Sequence, residues 1–488
     1  MITCRLKTGC LAAVVMFCGY IPLFAWIYMS KKYENSIQVD TPVHKQSRDK
    51  SVRSFHVFDS SFINVKDFRN TEYKFVHYSL LNISYPFNCT ETLDRASQKN
   101  GNKIQEPEDI LCMKRPKLLE NYKNPCWIED GRLRCLPYFH IFGVCKSGTT
   151  DLFRRLVIHH QIIPNKGITK KETWFWSWKR YGEHWDGQIA TLKNFTDTFD
   201  VLPQRLTYSY DLDMYYSHFV AGHGDPMDIW YPFDWKLIPQ NDPTSEEPVY
   251  ITPNLIYHLN PNIKLILVIR DPVERLYSHY IHKKLGNKIH PSAKEFHEDV
   301  QHAVSTFSKC IKNKTFRACL YDTVLYKELR VPISSGFYST FLRDWLKVFD
   351  KDQIMLIRTE DYRRNIAGTL TKVFKFLNLD VVGPSVLEKM ACREMEYKTN
   401  YRTTMMNESR SLLETFYSDS QRDMESLLDE YGIDILVKSQ DDMARQINCS
   451  RFFSKMPLMS KLKGKQIKRY FVSKKNATKY YRNKYSPR

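Results

Sequence analysis

The stretch that decides the fold is "YFHIFGVCKSGTTDLFRRL", which runs from Tyr138 to Leu156. It opens with a short apolar run, residues 138–144, that has the length and flanks of a buried strand. After the loop, apolar residues recur at helical spacing, namely Leu152, Phe153, Leu156 and Val157. The stretch therefore predicts a strand, a loop and a helix in succession, with the loop at the helix N-terminus.

The loop has the properties of an anion site. Backbone N–H groups from Lys146 to Thr150 can ring an anion at a helix N-terminus, where the helix dipole also favours negative charge. Lys146 precedes Gly148, whereas the lysine of a nucleotide-hydrolysing P-loop follows the last glycine. This order puts a positive charge beside the bridging oxygen of a phospho-anhydride. The alternative is an ordinary strand-to-helix turn with a solvated lysine.

A second anion site is predicted further along the chain. Residues 263–270 form a nearly continuous apolar run, as expected of a central parallel strand, and a helix with Pro272 at its start follows. Arg270 ends that strand, and Ser278 lies two turns into the helix. Ligands of open α/β sheets bind at the carboxyl ends of strands, so two such ends imply a ligand with two separated phosphate groups. The alternatives are a salt bridge from Arg270 to Asp271 or Glu274 and a solvent-facing Ser278 hydroxyl.

The remaining pattern defines the fold class. Residues 353–360 form a third predicted strand, and residues 369–379 form a helix after it. Strands that alternate with helices predict an α/β protein with a P-loop-like parallel sheet flanked by helices.

Together, the motifs resemble a known family. "KSGTT" and "RDPVERLYSHY" resemble the two PAPS-binding motifs of sulfotransferases, where PAPS is 3′-phosphoadenosine 5′-phosphosulfate. "KKETWFW" extends the match, and the order of motifs over about residues 138–379 resembles the Golgi carbohydrate sulfotransferases that modify glycosaminoglycans. Residues 224–280 are most similar to the branch that forms chondroitin sulfate E by sulfating C6 of N-acetylgalactosamine 4-sulfate.

The resemblance implies roles for individual residues. Lys146 is expected to stabilise the leaving phosphate, and Glu172 to act as the general base for the sugar hydroxyl. The implied PAPS-binding residues are Lys146, Ser147, Gly148, Thr149, Thr150, Arg270, Ser278 and Tyr338. Lys171 and Trp174 are expected to contact the substrate, although Trp174 is equally a candidate for the core. Thr173 departs from the proline that many relatives have after the glutamate.

The chemistry accounts for these residue types. Sulfuryl transfer, like phosphoryl transfer, needs in-line positioning and charge stabilisation more than covalent catalysis. An alcohol nucleophile needs a base within hydrogen-bond reach, and a nearby Lys171 favours an ionised Glu172. His159 and His160 are competing bases, but their position after the helix favours a surface or packing role. Lysine, arginine and backbone N–H groups supply the positive charge, so no metal is expected.

The net charge indicates the kind of partner, and the N-terminal segment indicates the cellular compartment. The formal net charge of +19 favours a polyanionic partner: nucleic acid, an anionic membrane or a sulfated polysaccharide. With the resemblance, we expect a sulfated glycosaminoglycan acceptor and no nucleic acid. Residues 10–29 are uncharged and long enough to cross a bilayer, with a cleaved signal peptide as the alternative. We expect a single-pass type II Golgi membrane protein with a lumenal body.

Sequons and cysteines support a lumenal body. The expected glycosylation sites are Asn82, Asn88, Asn194, Asn313, Asn407, Asn448 and Asn476. Twelve cysteines without a CxxC pair favour disulfides over zinc, with Cys310 and Cys319 closing a short loop and Cys145 left unpaired. The predicted organisation is a cytoplasmic tail, a transmembrane anchor, a lumenal stem and lead-in, the sulfotransferase domain and a basic C-terminal tail, over residues 1–9, 10–29, 30–135, 136–455 and 456–488.

Three rival functions stay open at this point. The acceptor could be another glycan, such as heparan sulfate. A nucleotide kinase is disfavoured because the chain lacks G-K-[ST] in the loop. A non-catalytic glycan-binding relative is disfavoured because Lys146, Glu172, Arg270 and Ser278 are all intact.

Overall fold

The computed structural model describes residues 107–184, 187–202, 206–231, 235–395 and 403–434, together with Cys89 and Cys449. Nine strands lie in this part of the chain: β1 Cys126–Glu129, β2 Arg132–Cys135, β3 Phe139–Gly143, β4 Ile162–Ile163, β5 Thr207–Ser209, β6 Met214–Tyr216, β7 Val220–His223, β8 Lys264–Ile269 and β9 Ile354–Arg358. The α-helices of the same part are α1 Thr149–Leu156, α2 Leu192–Asp197, α3 Thr252–Leu259, α4 Pro272–Gly286, α5 Ala293–Ile311, α6 Phe316–Leu320, α7 Thr323–Glu328, α8 Tyr338–Leu346, α9 Thr359–Arg364, α10 Ile366–Phe376, α11 Pro384–Ala391 and α12 Asn407–Tyr431.

The central sheet has five parallel strands in the order β4-β7-β3-β8-β9. The chain leaves β3 toward one edge of the sheet and returns to β8 on the other side of β3, so the direction of progression reverses between these two strands. A crevice for ligands forms at such a switch point, outside the carboxyl ends of the strands. The two predicted anion motifs follow β3 and β8, so they meet at this crevice.

Both faces of the sheet are covered. Alternate residues of β8 are fully buried on opposite faces, with Ile266 and Val268 in the cluster that packs against α1, α10 and α11. On the other face, the Phe142 ring packs on Trp345 of α8 with centroids 4.1 Å apart. This double burial explains why β3 and β8 read as nearly continuous apolar runs. The predicted fold, a parallel sheet flanked by helices, is confirmed.

The disulfides tie segments outside the sheet. Cys126 is bonded to Cys135 across the β1–β2 hairpin, Cys310 to Cys319 and Cys392 to Cys449. Cys145 is the free cysteine among the described residues, as predicted.

Other expectations fall partly outside the described residues. Within the described ranges, no helix is both long enough and apolar enough to span a bilayer. The expected anchor, residues 10–29, the tail, residues 456–488, and four of the sequons lie outside those ranges. Asn194, Asn313 and Asn407 are exposed, which a sugar acceptor requires. Glycosylation and the domain limits stay predictions.

Candidate active site

The loop between β3 and α1 is shaped to hold an anion. Lys146 and Gly148 both have left-handed backbones, with φ of 71° and 87°. The two left-handed residues turn the chain so that the first turn of α1 opens onto the loop, and no side chain caps this helix. The first N–H groups of a helix have no intrahelical partner, so the uncapped end of α1 presents free donors and the positive end of the helix dipole.

The Thr359 side chain also holds the loop in place. The Thr359 hydroxyl contacts the carbonyl oxygens of Ser147 at 2.7 Å and Ile269 at 2.8 Å, which links the loop to the end of β8. The Ser147 hydroxyl is buried and has no hydrogen-bond partner in the structure. A buried hydroxyl is costly to leave unpaired, so this one is available to a ligand in the loop.

The second motif lies directly beside the first. The Arg270 guanidinium donates to the carbonyl oxygen of Lys146 at 3.3 Å and lies 3.6 Å from the Glu274 carboxylate. The Tyr338 hydroxyl donates to the Arg270 carbonyl at 2.9 Å, which fixes the residue from the start of α8. Ser278 is buried on α4, two turns after Arg270. The structure therefore joins the two anion motifs at one edge of the sheet.

Glu172 is held by two donors close to the same loop. The ammonium of Lys171 lies 2.8 Å from Glu172 Oε1, and the indole nitrogen of Trp174 donates to Oε2 at 3.0 Å. The same ammonium contacts the hydroxyls of Thr149 at 3.4 Å and Thr150 at 3.3 Å. Lys171 is 1% exposed, whereas the Glu172 side chain retains 19% exposure. One buried ammonium thus connects the carboxylate with the anion loop, and the carboxylate keeps access to solvent.

Burial and mutual repulsion lower the pKa values of the cationic side chains at the loop. Burial lowers the pKa of Lys146 to about 8; Cys145 acts in the opposite direction, and the nearby Arg270 guanidinium, with a smaller effect, lowers the pKa further. Burial, followed by Arg363, lowers the pKa of Arg270. Burial and the carboxylates of Glu172 and Asp225 raise the pKa of the Cys145 thiol to about 12, so this thiol is protonated at neutral pH. Lys146 and Arg270 thus place two positive charges side by side at the loop, and the repulsion between them favours an anionic ligand.

A buried polar cluster lies behind Glu172. The rings of His140 on β3 and His223 on β7 pack against each other at a tilt, with centroids 4.3 Å apart, and His140 Nε2 lies 3.1 Å from Asp228 Oδ2. Burial lowers the pKa of His140 to about 3 and the pKa of His223 well below its usual range, so both rings are neutral. Burial raises the pKa of Asp225 and of Asp228 well above the usual range. Of the described residues, only His140, His223 and Asp228 form a group able to hold a metal, with ligand atoms within 4.8 Å of one another.

Some predicted residues lie elsewhere or play a different part. His159 and His160 follow the far end of α1, where their ring nitrogens contact the backbone and the carboxylate of Asp380 at 3.0 Å and 3.3 Å. They are therefore packing and surface residues, as expected. Trp174 is 7% exposed, which leaves little of its ring for a sugar. Its contact with substrate, like that of Lys171, stays a prediction.

Other residues of the site were not predicted. His223 is the last residue of β7, "VAGH", a strand in which only the first two residues are apolar; Asp225 lies two residues beyond it, and Thr359 follows β9. All three lie at or just beyond the carboxyl ends of strands in the parallel sheet. That position is the signal by which the sequence could have identified them.

Comparisons with known proteins agree with this geometry. The sequence profile described as "Sulfotransferase domain" matches residues 139–425, which is more than half of the chain. The chain therefore belongs to the sulfotransferase family.

The chain is similar to parts of several named proteins. Carbohydrate sulfotransferase 15 from Homo sapiens is 37% identical over 257 residues, which are 51% of this chain and 45% of the relative. Bifunctional heparan sulfate N-deacetylase/N-sulfotransferase 3 from Homo sapiens is 24% identical over 339 residues, 64% of this chain and 33% of the relative. A solved sulfotransferase from Alicyclobacillus acidocaldarius, 19% identical, matches with a TM-score of 0.40 over 62% of this chain and 98% of that one. The chain spans about half the length, or less, of these curated relatives.

Proposed function

We propose that the protein transfers the sulfuryl group of PAPS to a sugar hydroxyl of chondroitin or dermatan sulfate, at C6 of N-acetylgalactosamine 4-sulfate. The observation that carries the proposal is the bridge made by Lys171, whose ammonium contacts both Glu172 and the hydroxyl of Thr150. The bridge places a carboxylate beside the loop where the sulfuryl group would be held.

The residues of the crevice fit PAPS. Lys146, Ser147, Gly148, Thr149 and Thr150 would hold the 5′-phosphosulfate, with the free N–H groups of α1 and the unpaired Ser147 hydroxyl as donors. Arg270 and Ser278 would hold the 3′-phosphate, and Tyr338 fixes the backbone of Arg270. PAPS would supply the sulfuryl group, which is bonded to an anhydride oxygen. Residues of the chain would bind the nucleotide and accept the proton of the sugar hydroxyl.

Each catalytic residue has a physical role. Glu172 would accept the proton of the sugar hydroxyl, since it is the partly exposed carboxylate of the cluster and its two oxygens are oriented by the Lys171 ammonium and the Trp174 indole. Lys146 would offset the negative charge that develops on the phosphate oxygen as the bond to sulfur breaks. Lys171 would orient Glu172 and the Thr149 and Thr150 hydroxyls at once.

The acceptor follows from charge and resemblance. The net charge of +19 suits a polymer that carries carboxylates and sulfates. The similarity of residues 224–280 to the branch that forms chondroitin sulfate E supports C6 of the 4-sulfated sugar as the acceptor. We place the protein in the Golgi membrane, with the catalytic body in the lumen, on the strength of the apolar segment 10–29 and the sequons.

The experiment separates nucleotide binding from chemistry. We expect Glu172→Gln to bind PAP, the desulfated nucleotide, with wild-type affinity, measured by calorimetry, and to lose at least about 100-fold in kcat with [³⁵S]PAPS, since general bases contribute this much. Asp361→Asn, which changes a carboxylate paired with Arg364 on α9, is the control and should keep wild-type turnover. A normal kcat in Glu172→Gln would remove Glu172 as the base.

The acceptor is tested on the same preparation. Wild-type protein is offered chondroitin, dermatan and heparan chains, and the products are mapped by disaccharide analysis. We expect 4,6-disulfated galactosamine units from chondroitin sulfate A. Preferential sulfation of heparan would replace the acceptor and leave the PAPS site unchanged, whereas no transfer to any chain, with PAP still bound, would favour a non-catalytic glycan-binding protein.

A further inference from the structure

Three consecutive residues at the carboxyl end of β7, His223, Gly224 and Asp225, contact the three residues that flank Glu172 in the segment 171–174. His223 Nε2 is hydrogen-bonded to the Thr173 hydroxyl at 2.9 Å. The Gly224 N–H donates to the Lys171 carbonyl at 3.1 Å, and Asp225 Oδ2 accepts from the Trp174 N–H at 2.9 Å. We call residues 171–174 the base segment and residues 223–225 the clamp.

The base segment is held in a strained path. Trp174 has φ of 54°, a left-handed backbone that is a genuine outlier for a bulky residue. Thr169 and Lys170, just before the segment, are also left-handed, with φ of 53° and 59°. Such strain persists only where surrounding contacts fix it, and it collects at functional sites. At Trp174 one such contact is the hydrogen bond from its backbone N–H to the Asp225 carboxyl.

The strain has a consequence for Glu172. With Trp174 turned in this way, its indole nitrogen lies 3.0 Å from Glu172 Oε2. An extended backbone at Trp174 would carry the indole away from the carboxylate. The close fit of Gly224 adds to this, because a Cβ there would come within 2.8 Å of Lys171 Cγ. The clamp thus fixes the positions of both donors to Glu172.

We propose that His223, Gly224 and Asp225 are positioning residues, which hold the base segment so that Lys171 and Trp174 both donate to the Glu172 carboxylate. The assignment rests on the proposed role of Glu172 as the base. It also explains the Thr173 that stands where many relatives have proline, since the Thr173 hydroxyl bonds to His223 and accepts from the Phe175 N–H at 3.2 Å.

Asp225 acts in this clamp as a buried hydrogen-bond acceptor. It is 0% exposed, and its Oδ2 accepts from the Trp174 N–H. An asparagine side chain has the shape of this carboxyl and keeps an acceptor oxygen. Asp225→Asn should therefore preserve the clamp, whereas Asp225→Ala removes the acceptor.

The test uses two readouts on the full chain. Hydrogen exchange of the Trp174 amide reports on the clamp without any need for activity, and the pH dependence of kcat/KM for sulfate transfer reports on the base. In Asp225→Ala we expect at least about tenfold faster exchange at Trp174 and an acidic limb moved to higher pH by about one unit, because a hydrogen bond to a charged group is worth about 1.4 kcal/mol or more. Asp225→Asn should match wild type in both.

A second variant tests the indole donor of Trp174, and a control variant tests whether changing any buried carboxyl has the same effect. Trp174→Phe removes the indole donor but keeps an aromatic ring, and we expect the same shift of the acidic limb. Asp344→Asn changes another buried carboxyl, which accepts hydrogen bonds from Arg317 and Tyr321, and should leave the limb in place. Unchanged exchange in Asp225→Ala would overturn the clamp. Faster exchange with an unmoved acidic limb in both Asp225→Ala and Trp174→Phe would overturn its link to the base. Loss of Glu172 as the base would show separately, as normal turnover in Glu172→Gln.

Discussion

The ammonium of Lys171 lies 2.8 Å from the Glu172 carboxylate and 3.3 Å from the Thr150 hydroxyl. The two contacts join the carboxylate that would activate an acceptor to the loop that would hold the donor. Because Lys171 is buried, its charge is little screened by solvent, so it holds the two groups strongly. We expect Lys171→Ala to lose both turnover and nucleotide affinity, whereas Glu172→Gln loses turnover alone, as measured by [³⁵S]PAPS kinetics and PAP calorimetry. Equal loss of affinity in both variants would contradict the bridge.

Nucleotide affinity should fall at alkaline pH because of Lys146. Its pKa is lowered to about 8, so the ammonium is fully charged below pH 7 and is lost as pH rises past 8. A bound anion favours the charged form, so binding at pH 9 should take up close to one proton, and affinity for PAP should fall roughly tenfold between pH 7 and pH 9. Calorimetry in buffers of different ionisation enthalpy measures both quantities.

Lys146→Arg is the matched variant for this prediction. Arginine stays charged throughout this range, so the variant should bind PAP without proton uptake at pH 9. Proton uptake equal to that of the wild type would assign the effect to another group.

Arg270 should discriminate between nucleotides that carry and lack a 3′-phosphate. We expect Arg270→Ala to weaken PAP binding by about 1.5–3 kcal/mol, which is the usual value of hydrogen bonds to a charged group, and to leave binding of 5′-AMP little changed. Competition against [³⁵S]PAPS turnover measures both. Arg410→Ala, which removes the other guanidinium at Glu274, is the control. An equal loss for the two nucleotides in Arg270→Ala would place Arg270 away from the 3′-phosphate.

A buried ion pair beneath the loop should be important for stability. Asp151 on α1 pairs with the fully buried Arg155 at 2.9 Å and accepts from the Tyr362 hydroxyl at 2.6 Å. Asp151→Ala leaves the guanidinium buried without its carboxylate, so we expect a loss of about 3–5 kcal/mol in the free energy of unfolding. Asp419→Ala removes an exposed partner of Arg422 and should cost less than about 1 kcal/mol. Urea denaturation of the two variants checks the difference, and similar losses would contradict it.

The sequence predicted those parts of the fold that are buried on both sides. The apolar run 263–270 was expected to be a strand, and β8 covers Lys264–Ile269, because a central parallel strand must be apolar throughout. The sequence does not indicate the strand Val220–His223, because only its first two residues are apolar before Gly222. Both anion motifs were recognisable since each combines a strand end with a charged residue.

The geometry around Glu172 could not be predicted in the same way. The bridge from Lys171 to Thr150 joins side chains 21 residues apart and depends on the left-handed turn at Thr169 and Lys170. Threonine and lysine do not favour that conformation, so the local sequence does not predict the turn. The contacts of residues 223–225 with the base segment stabilise it, and these become visible only when β7 is placed in the sheet.

We propose that the loop after β3 and the end of β8 form one PAPS site beside Glu172. A crystal structure of the protein with PAP bound tests this site directly. We predict the 5′-phosphate in contact with the backbone N–H groups of residues 147–150 and the 3′-phosphate within hydrogen-bond distance of Arg270 and Ser278. A nucleotide bound in this crevice with its 3′-phosphate away from both residues, or bound elsewhere on the protein, would contradict the account.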